Sequence, residues 1–206
     1  MKKIPRPYLY LLLALLGTAV VWFIEKPTEE KTGDILNKPL FANLQADQIA
    51  RIDIQHLLNG VQLKKEGKEW VIAPIKTEMK KNLEKAEEKN PPPEETEKWE
   101  KADSEKIQTV LDILMDTRAI SLAGDNPEKL GYFEVNPVGE RIQFFDKNDK
   151  RLEDFYLGKA GAAFMEGYIR KEGENEVYLA DKFLRPYFPA TMEGWIPTKN
   201  DKKAAP

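Results

Sequence analysis

Residues 8–24 read YLYLLLALLGTAVVWFI, a run without one charged side chain. At 1.5 Å per residue a helix over it spans about 26 Å, enough to cross a bilayer core. A run this apolar divides the chain into two physical parts. Lys2, Lys3 and Arg6 precede it, while Glu25, Lys26, Glu29 and Glu30 follow. The positive-inside bias therefore keeps residues 1–7 in the cytoplasm and sends the rest across. Tyr8 and Tyr10 at one end and Trp22 and Phe23 at the other are expected at the headgroup zones, with Leu16, Val21 and Ile24 as further anchor residues of the run. The expectation is an N-terminal transmembrane signal anchor over 8–24. The alternative is a secretory leader cleaved near Gly17 and Ala19, which exports the same domain.

The remainder is polar. Thirty-two Lys and Arg face 35 Asp and Glu, a net charge of -3 that exerts no general pull on nucleic acid. There is no Cys and one His, so disulfides, thiol nucleophiles and Cys-based metal sites are excluded, and no cofactor is called for. A lipid-modified N-terminus is excluded for the same reason.

Residues 25–39 carry Pro27, Gly33 and Pro39 and read as a stalk. An exported domain over 40–196 follows. Alternation over Ile49–Gln55 predicts a strand, Asn59-Gly60 a hairpin turn, and Val61 to Leu63 and Trp70 to Ile72 two further strands. Lys76 to Lys106 holds 10 acidic and 8 basic residues around Pro91-Pro92-Pro93. It reads as a charged insertion at about 76–102, with Trp99 as a candidate docking aromatic. Asp103 or Ser104 caps a helix striped by Ile107, Val110, Leu111, Leu114 and Met115, and Asn126-Pro127 opens a short helical turn. Strands are predicted over 141–146, 152–157, 164–170 and 177–180, then a closing helix from Asp181 to Leu184 and a disordered tail over 197–206. Lys64 to Ala73 echoes Arg170 to Ala180. The predicted fold class is therefore α+β: an N-terminal transmembrane helix, then antiparallel meanders each packed by a helix, as two related units forming either a single domain or two closely packed subdomains.

No catalytic or metal-binding constellation emerges. His56 shares a strand face with Ile52 and Ile54, and Asp53 faces away from it, so His56 reads as structural. The acidic run Asp146, Asn148, Asp149, Glu153, Asp154 misses the EF-hand pattern at Lys150, Arg151 and Leu157, and reads as a hairpin tip. Gly158-Lys159 lacks the Ser or Thr and the earlier Gly of a phosphate loop and reads as a turn. Carboxylates meeting from distant positions stay open as an alternative. The aromatic stretch Phe183 to Ile196 closes the core, and Tyr187, Phe188 and Trp195 join Trp99 as candidate interface residues.

The order of segments, with Leu40-Phe41, Leu44, Ile52, Ile54, Glu69-Trp70-Val71-Ile72, Ser104 to Leu114, Asn126-Pro127, Leu130-Gly131-Tyr132 and Val177-Tyr178-Leu179, resembles the bacterial domain-of-unknown-function 4340 family over most of 40–196. The charged insertion and Tyr132-Phe133-Glu134 depart from the family pattern. The resemblance implies an exported, membrane-tethered module, often encoded beside gliding-motility-type ABC transporter components, with no catalytic residue to transfer. The expectation is a non-enzymatic accessory or scaffold subunit of the bacterial inner membrane. Its outer domain contacts the lipid bilayer and other membrane or periplasmic proteins, and no nucleic acid. A periplasmic solute-binding or carboxylate-based hydrolytic domain is the alternative.

Overall fold

The computed structural model describes residues 36–86 and 98–197. The anchor residues Tyr8, Tyr10, Leu16, Val21, Trp22, Phe23 and Ile24, most of the stalk, the triple Pro and the tail from 198 on lie outside the described residues.

Nine strands form one antiparallel sheet: β1 Arg51–His56, β2 Asn59–Glu66, β3 Glu69–Pro74, β4 Glu100–Lys101, β5 Ala119–Gly124, β6 Glu140–Phe145, β7 Arg151–Ala160, β8 Gly167–Lys171 and β9 Val177–Ala180. Their order is β4-β3-β2-β1-β6-β7-β8-β9-β5. Among the described residues three short α-helices accompany them: α1 Glu78–Ala86, α2 Ser104–Met115 and α3 Leu130–Phe133. This overturns the α+β class with two helix-packed units; the expected transmembrane helix over 8–24 lies outside the described residues. The described part is mostly β, and none of its helices is long and apolar enough to cross a membrane.

The two predicted units fuse because β1 pairs with β6 from Arg51↔Phe145 to Gln55↔Arg141, leaving no boundary between the meanders. One continuous core follows. Ile52 and Ile54 of β1, Leu63 of β2, Ile72 of β3, Ile142 and Phe144 of β6 and Phe155 of β7 all point to one face, as alternate positions must. A single helix, α2, covers them with Ile107, Val110, Leu111 and Leu114. Its start matches the predicted cap: the Asp103 carboxylate accepts the Glu105 and Lys106 amides at 3.1 and 3.0 Å. The C-terminal segment 184–196 also packs on this face through Leu184, Phe188, Ala190 and Trp195. The other face carries a smaller apolar cluster of Phe133, Val135, Tyr156 and Val177.

Four local expectations change. The β1–β2 turn is Leu57-Leu58, with Leu57 at φ 52°, while Asn59 and Gly60 pair with His56 and Gln55 inside the ladder. Gly60 is needed for close approach instead, since a Cβ there would lie 3.0 Å from the Ile75 carbonyl oxygen. Gly158-Lys159 lies within β7, not in a turn. A Cβ at Gly158 would meet the Phe133 oxygen at 2.2 Å, so the missing side chain lets the end of α3 seat on the sheet. The expected Asp181 helix is absent. The Asp181 carboxylate accepts the Arg118 amide at 2.9 Å, and a 3-10 turn forms at Arg185–Tyr187. Finally β5, which no alternation marks, adds to β9 through an irregular ladder.

Candidate interaction surface

The register gives the sheet two chemically opposite ends. At one end lie the Leu57-Leu58 turn, the loop entering β6, the 161–166 turn between β7 and β8, and the exit of β3 toward α1. The chain also enters here: Ala160 pairs with Gly167, Gly167 with Ala180, and Ala180 with Ala119, whose oxygen accepts the Asn37 amide at 2.9 Å. Every large apolar side chain exposed among the described residues lies in segments at or leaving this end. Leu57 and Leu58 form one tip, and Val138 precedes β6. Phe164 is 93% exposed and Met165 58% on the β7–β8 tip. Tyr132 stands beside the Lys159 ammonium, 3.5 Å from its ring centroid. Leu36 marks the chain entry, Met79 and Leu83 lie on α1, and Tyr187 lies on the 185–187 turn.

The other end is charged. Its turns are Glu66-Gly67-Lys68, with Gly67 at φ 65°, the Asp146 to Lys150 turn, and the Glu172 to Glu176 turn. Asp146 organises its own turn by accepting the Asn148 and Lys150 amides at 2.7 and 3.0 Å, which holds its carboxyl below the usual range. A shallow groove of about 270 Å³ opens nearby, lined by Arg151, Glu153, Asp154, Lys171, Glu172 and Glu174. Its charges are engaged with one another. Asp154 receives Arg141 at 2.8 and 2.9 Å, Gln143 at 2.9 Å and Arg151 at 2.9 Å, and Lys171 pairs with Glu153. Arg141 and Arg170 both face the Tyr156 ring, at 5.5 and 4.7 Å.

Just inside the apolar end lies a titratable cluster on the core face. His56 ends β1, Glu140 begins β6, and Arg185 arrives from the C-terminal segment. The Arg185 guanidinium lies 2.9 Å from His56 Nε2 and donates to Glu134 at 2.7 Å. Glu134 holds a left-handed conformation, φ 58°, at the end of α3. Glu140 is buried, and burial pushes its carboxyl up to about 8 although Arg185 and the Ala190 amide oppose that shift. His56 is pushed below its ordinary value by burial and then by the Arg185 charge. At neutral pH the pair is a neutral acid and a neutral imidazole beside a guanidinium. The expectation of a structural His thus gains a polar setting that its strand neighbours did not reveal.

The four candidate interface aromatics part company. Phe188 and Trp195 are buried, so both are corrected from surface to core. Trp195 is fixed by its own indole N–H, which donates to the Pro189 oxygen at 2.8 Å, and by the Asp103 amide, which donates to its carbonyl at 2.8 Å. Tyr187 is exposed, and Trp99 is half-buried with the Lys64 ammonium 5.9 Å from its ring centroid. Sequence reasoning missed Phe164 and Met165 because that segment reads as the start of a strand. It missed Glu140 because a carboxylate after Gly139 reads as surface; only the packing of residues 185–190 buries it.

The sheet's two edges also differ. β4 is two residues long and charged, Glu100 and Lys101. β5 is six residues, Ala-Ile-Ser-Leu-Ala-Gly, without a charge. Beyond the Asn37 contact at Ala119, its outer edge has no strand partner among the described residues.

Comparison with known proteins adds one finding. No curated protein and no solved structure matches the chain. A protein family described as Domain of unknown function (DUF4340) matches residues 95–200, which takes in β4 to β9 with α2 and α3 and leaves β1 to β3 outside. That span contains Glu140, Arg185, the β7–β8 tip and the open edge strand, and by this match the chain belongs to the DUF4340 family.

Proposed function

We propose that this protein is a non-enzymatic accessory subunit held at a membrane, whose folded domain takes up a partner protein along the outer edge of β5. The observation that carries the reading is that edge: six uncharged residues whose outer backbone groups, beyond Ala119 and its pairing with Asn37 and Lys38, have no strand partner among the described residues. Natural sheets guard their edges with brevity, charge or Pro, as β4 does here, and an unguarded edge is the usual template for an added strand. The apolar run 8–24 supplies the membrane attachment, and attachment raises the domain's effective concentration toward partners in the same membrane.

Gentle detergent extraction and native mass measurement test this. Wild type is expected in a complex larger than one chain, and Ser121→Lys, which charges the edge, is expected to release a folded monomer. A wild-type protein that is always a lone monomer refutes the reading.

A second reading, carboxylate-based hydrolysis, has one observation in its favour: Glu140 carries the raised pKa of a general acid and lies near His56 and Arg185. Its test is turnover of ester and glycoside substrates that Glu140→Gln abolishes while the fold persists.

A further inference from the structure

We infer that the apolar end of the sheet rests on the lipid surface, with the Leu57-Leu58 and Ala163-Phe164-Met165 tips immersed in the interfacial zone. Three observations converge on lipid as the occupant. The exposed apolar side chains lie in segments at or leaving one end, whereas the turns of the opposite end are charged. The two tips are convex hairpin ends, not a groove, which suits a fluid apolar phase better than a shaped partner pocket. The chain also joins the fold at this same end, through Leu36 and the Asn37–Ala119 hydrogen bond. Between the apolar run 8–24 and Leu36 lie only residues 25–35, whose fully extended reach is at most about 40 Å. The chain therefore reaches the fold at this end and not at the charged one.

The chemistry of the rim agrees. Tyr132 with Lys159, and Tyr187, supply amphipathic rings and a cation at the height where headgroups would lie. Burying Phe164, Met165, Leu57 and Leu58 in the interface removes apolar area from water, and the one carboxylate of the 161–166 turn, Glu166, is engaged in accepting the Ala163 amide at 3.2 Å. The inference takes from the proposed function only that the chain is held at a membrane. The β5 edge, running from this end to the charged one, stays open to a partner.

Because the chain has no Cys, single labels are clean. Full-length Ala163→Cys, Leu58→Cys and Asn148→Cys proteins, each carrying an environment-sensitive fluorophore, are reconstituted into phosphatidylcholine–phosphatidylglycerol vesicles with and without brominated lipid. Labels at 58 and 163 are expected to be blue-shifted and quenched several-fold more than the label at 148. In an unlabelled Phe164→Ser/Met165→Ser background the label at 58 is expected to lose part of that quenching. Equal, aqueous emission at all three positions in protein that resists carbonate extraction overturns the docking and leaves membrane attachment standing. Protein that carbonate releases, yet whose tips are still quenched before extraction, supports the docking and overturns anchoring by 8–24. Released protein with aqueous tips overturns both.

Discussion

The two ends of this sheet are built from the same hairpins and solve opposite solvation problems. At the charged end each turn satisfies itself: Asp146 accepts two amides of its own loop, and Gly67 and Gly173 take the positive φ that tight turns require. Such turns need nothing beyond water. At the other end Leu57 takes positive φ at a cost that Asn or Gly would avoid, and Phe164 stands almost wholly in solvent. Turns of that kind are tolerated where something other than water covers them. Charge is not missing from the apolar end: part of it is drawn inward, into the His56, Arg185, Glu134 and Glu140 cluster beneath the tips, and part stays at the surface beside Ala119 and Ala180, where Lys182 pairs with Asp116 and Asp181.

Substitutions can break this contrast in order of effect. Phe188→Ala removes a buried ring from the segment that lies over the core and delivers Arg185 to the apolar end. A loss of about 3–5 kcal/mol is expected by denaturant unfolding, with the tips loosened more than the charged turns in hydrogen exchange. A protein whose two ends gained exchange equally would show that the segment does not stabilise one end selectively.

Glu140 makes the next largest effect, and its sign is fixed. Its folded value of about 8 lies above the ordinary 4.5, so between those values the folded protein holds a proton that the unfolded chain has released. Stability falls as pH rises through that window, by up to about 1.4 kcal/mol per pH unit, and levels off above it. His56 has the opposite sign: its folded value lies below 6.5, so its contribution is present above pH 6.5 and fades as pH drops below that. Within this cluster the range from 6.5 to 8 therefore isolates Glu140. Urea midpoints across it should decline for wild type and flatten in Glu140→Gln; parallel curves would remove Glu140 from the account.

Asp103→Ala deletes the cap of α2 beside the charged end, and a cost of about 1 kcal/mol is expected in thermal unfolding. Phe164→Ser should be the gentlest, within about 0.5 kcal/mol of wild type in vesicle-free buffer, because a ring in water contributes nothing to the folded core. A large loss there would mean that the tip packs on the domain, and the lipid-facing assignment would fail with it.

Elements with strong local signals were legible in advance. The α2 stripe and its Asp103 cap, the Asn126 cap with Pro127 behind it, and the alternation of β1 and β6 all rest on interactions within a few residues. The misreadings share a different cause. Asn59-Gly60 is a sound turn signal overridden because Gly60 lies too close to Ile75 to carry a side chain, which shifts the turn to two leucines. Gly158-Lys159 has turn composition but sits in a strand, since the space beside it belongs to Phe133. β5 has no alternation because it is a half-covered edge strand.

The sequence by itself determined the periodic elements, the caps, the separation of an apolar N-terminal run from a charged remainder, and family membership, because these depend on short-range pattern. Only the tertiary structure decided that β1 pairs with β6 to merge two meanders into one sheet, that Phe188 and Trp195 are core, and that Glu140 is buried against Arg185. It also decided that leucines from the first hairpin and Phe164 from a distant one share an end. Strand pairing brings together residues as far apart as Arg51 and Phe145, and no local preference in the chain encodes which of them will meet.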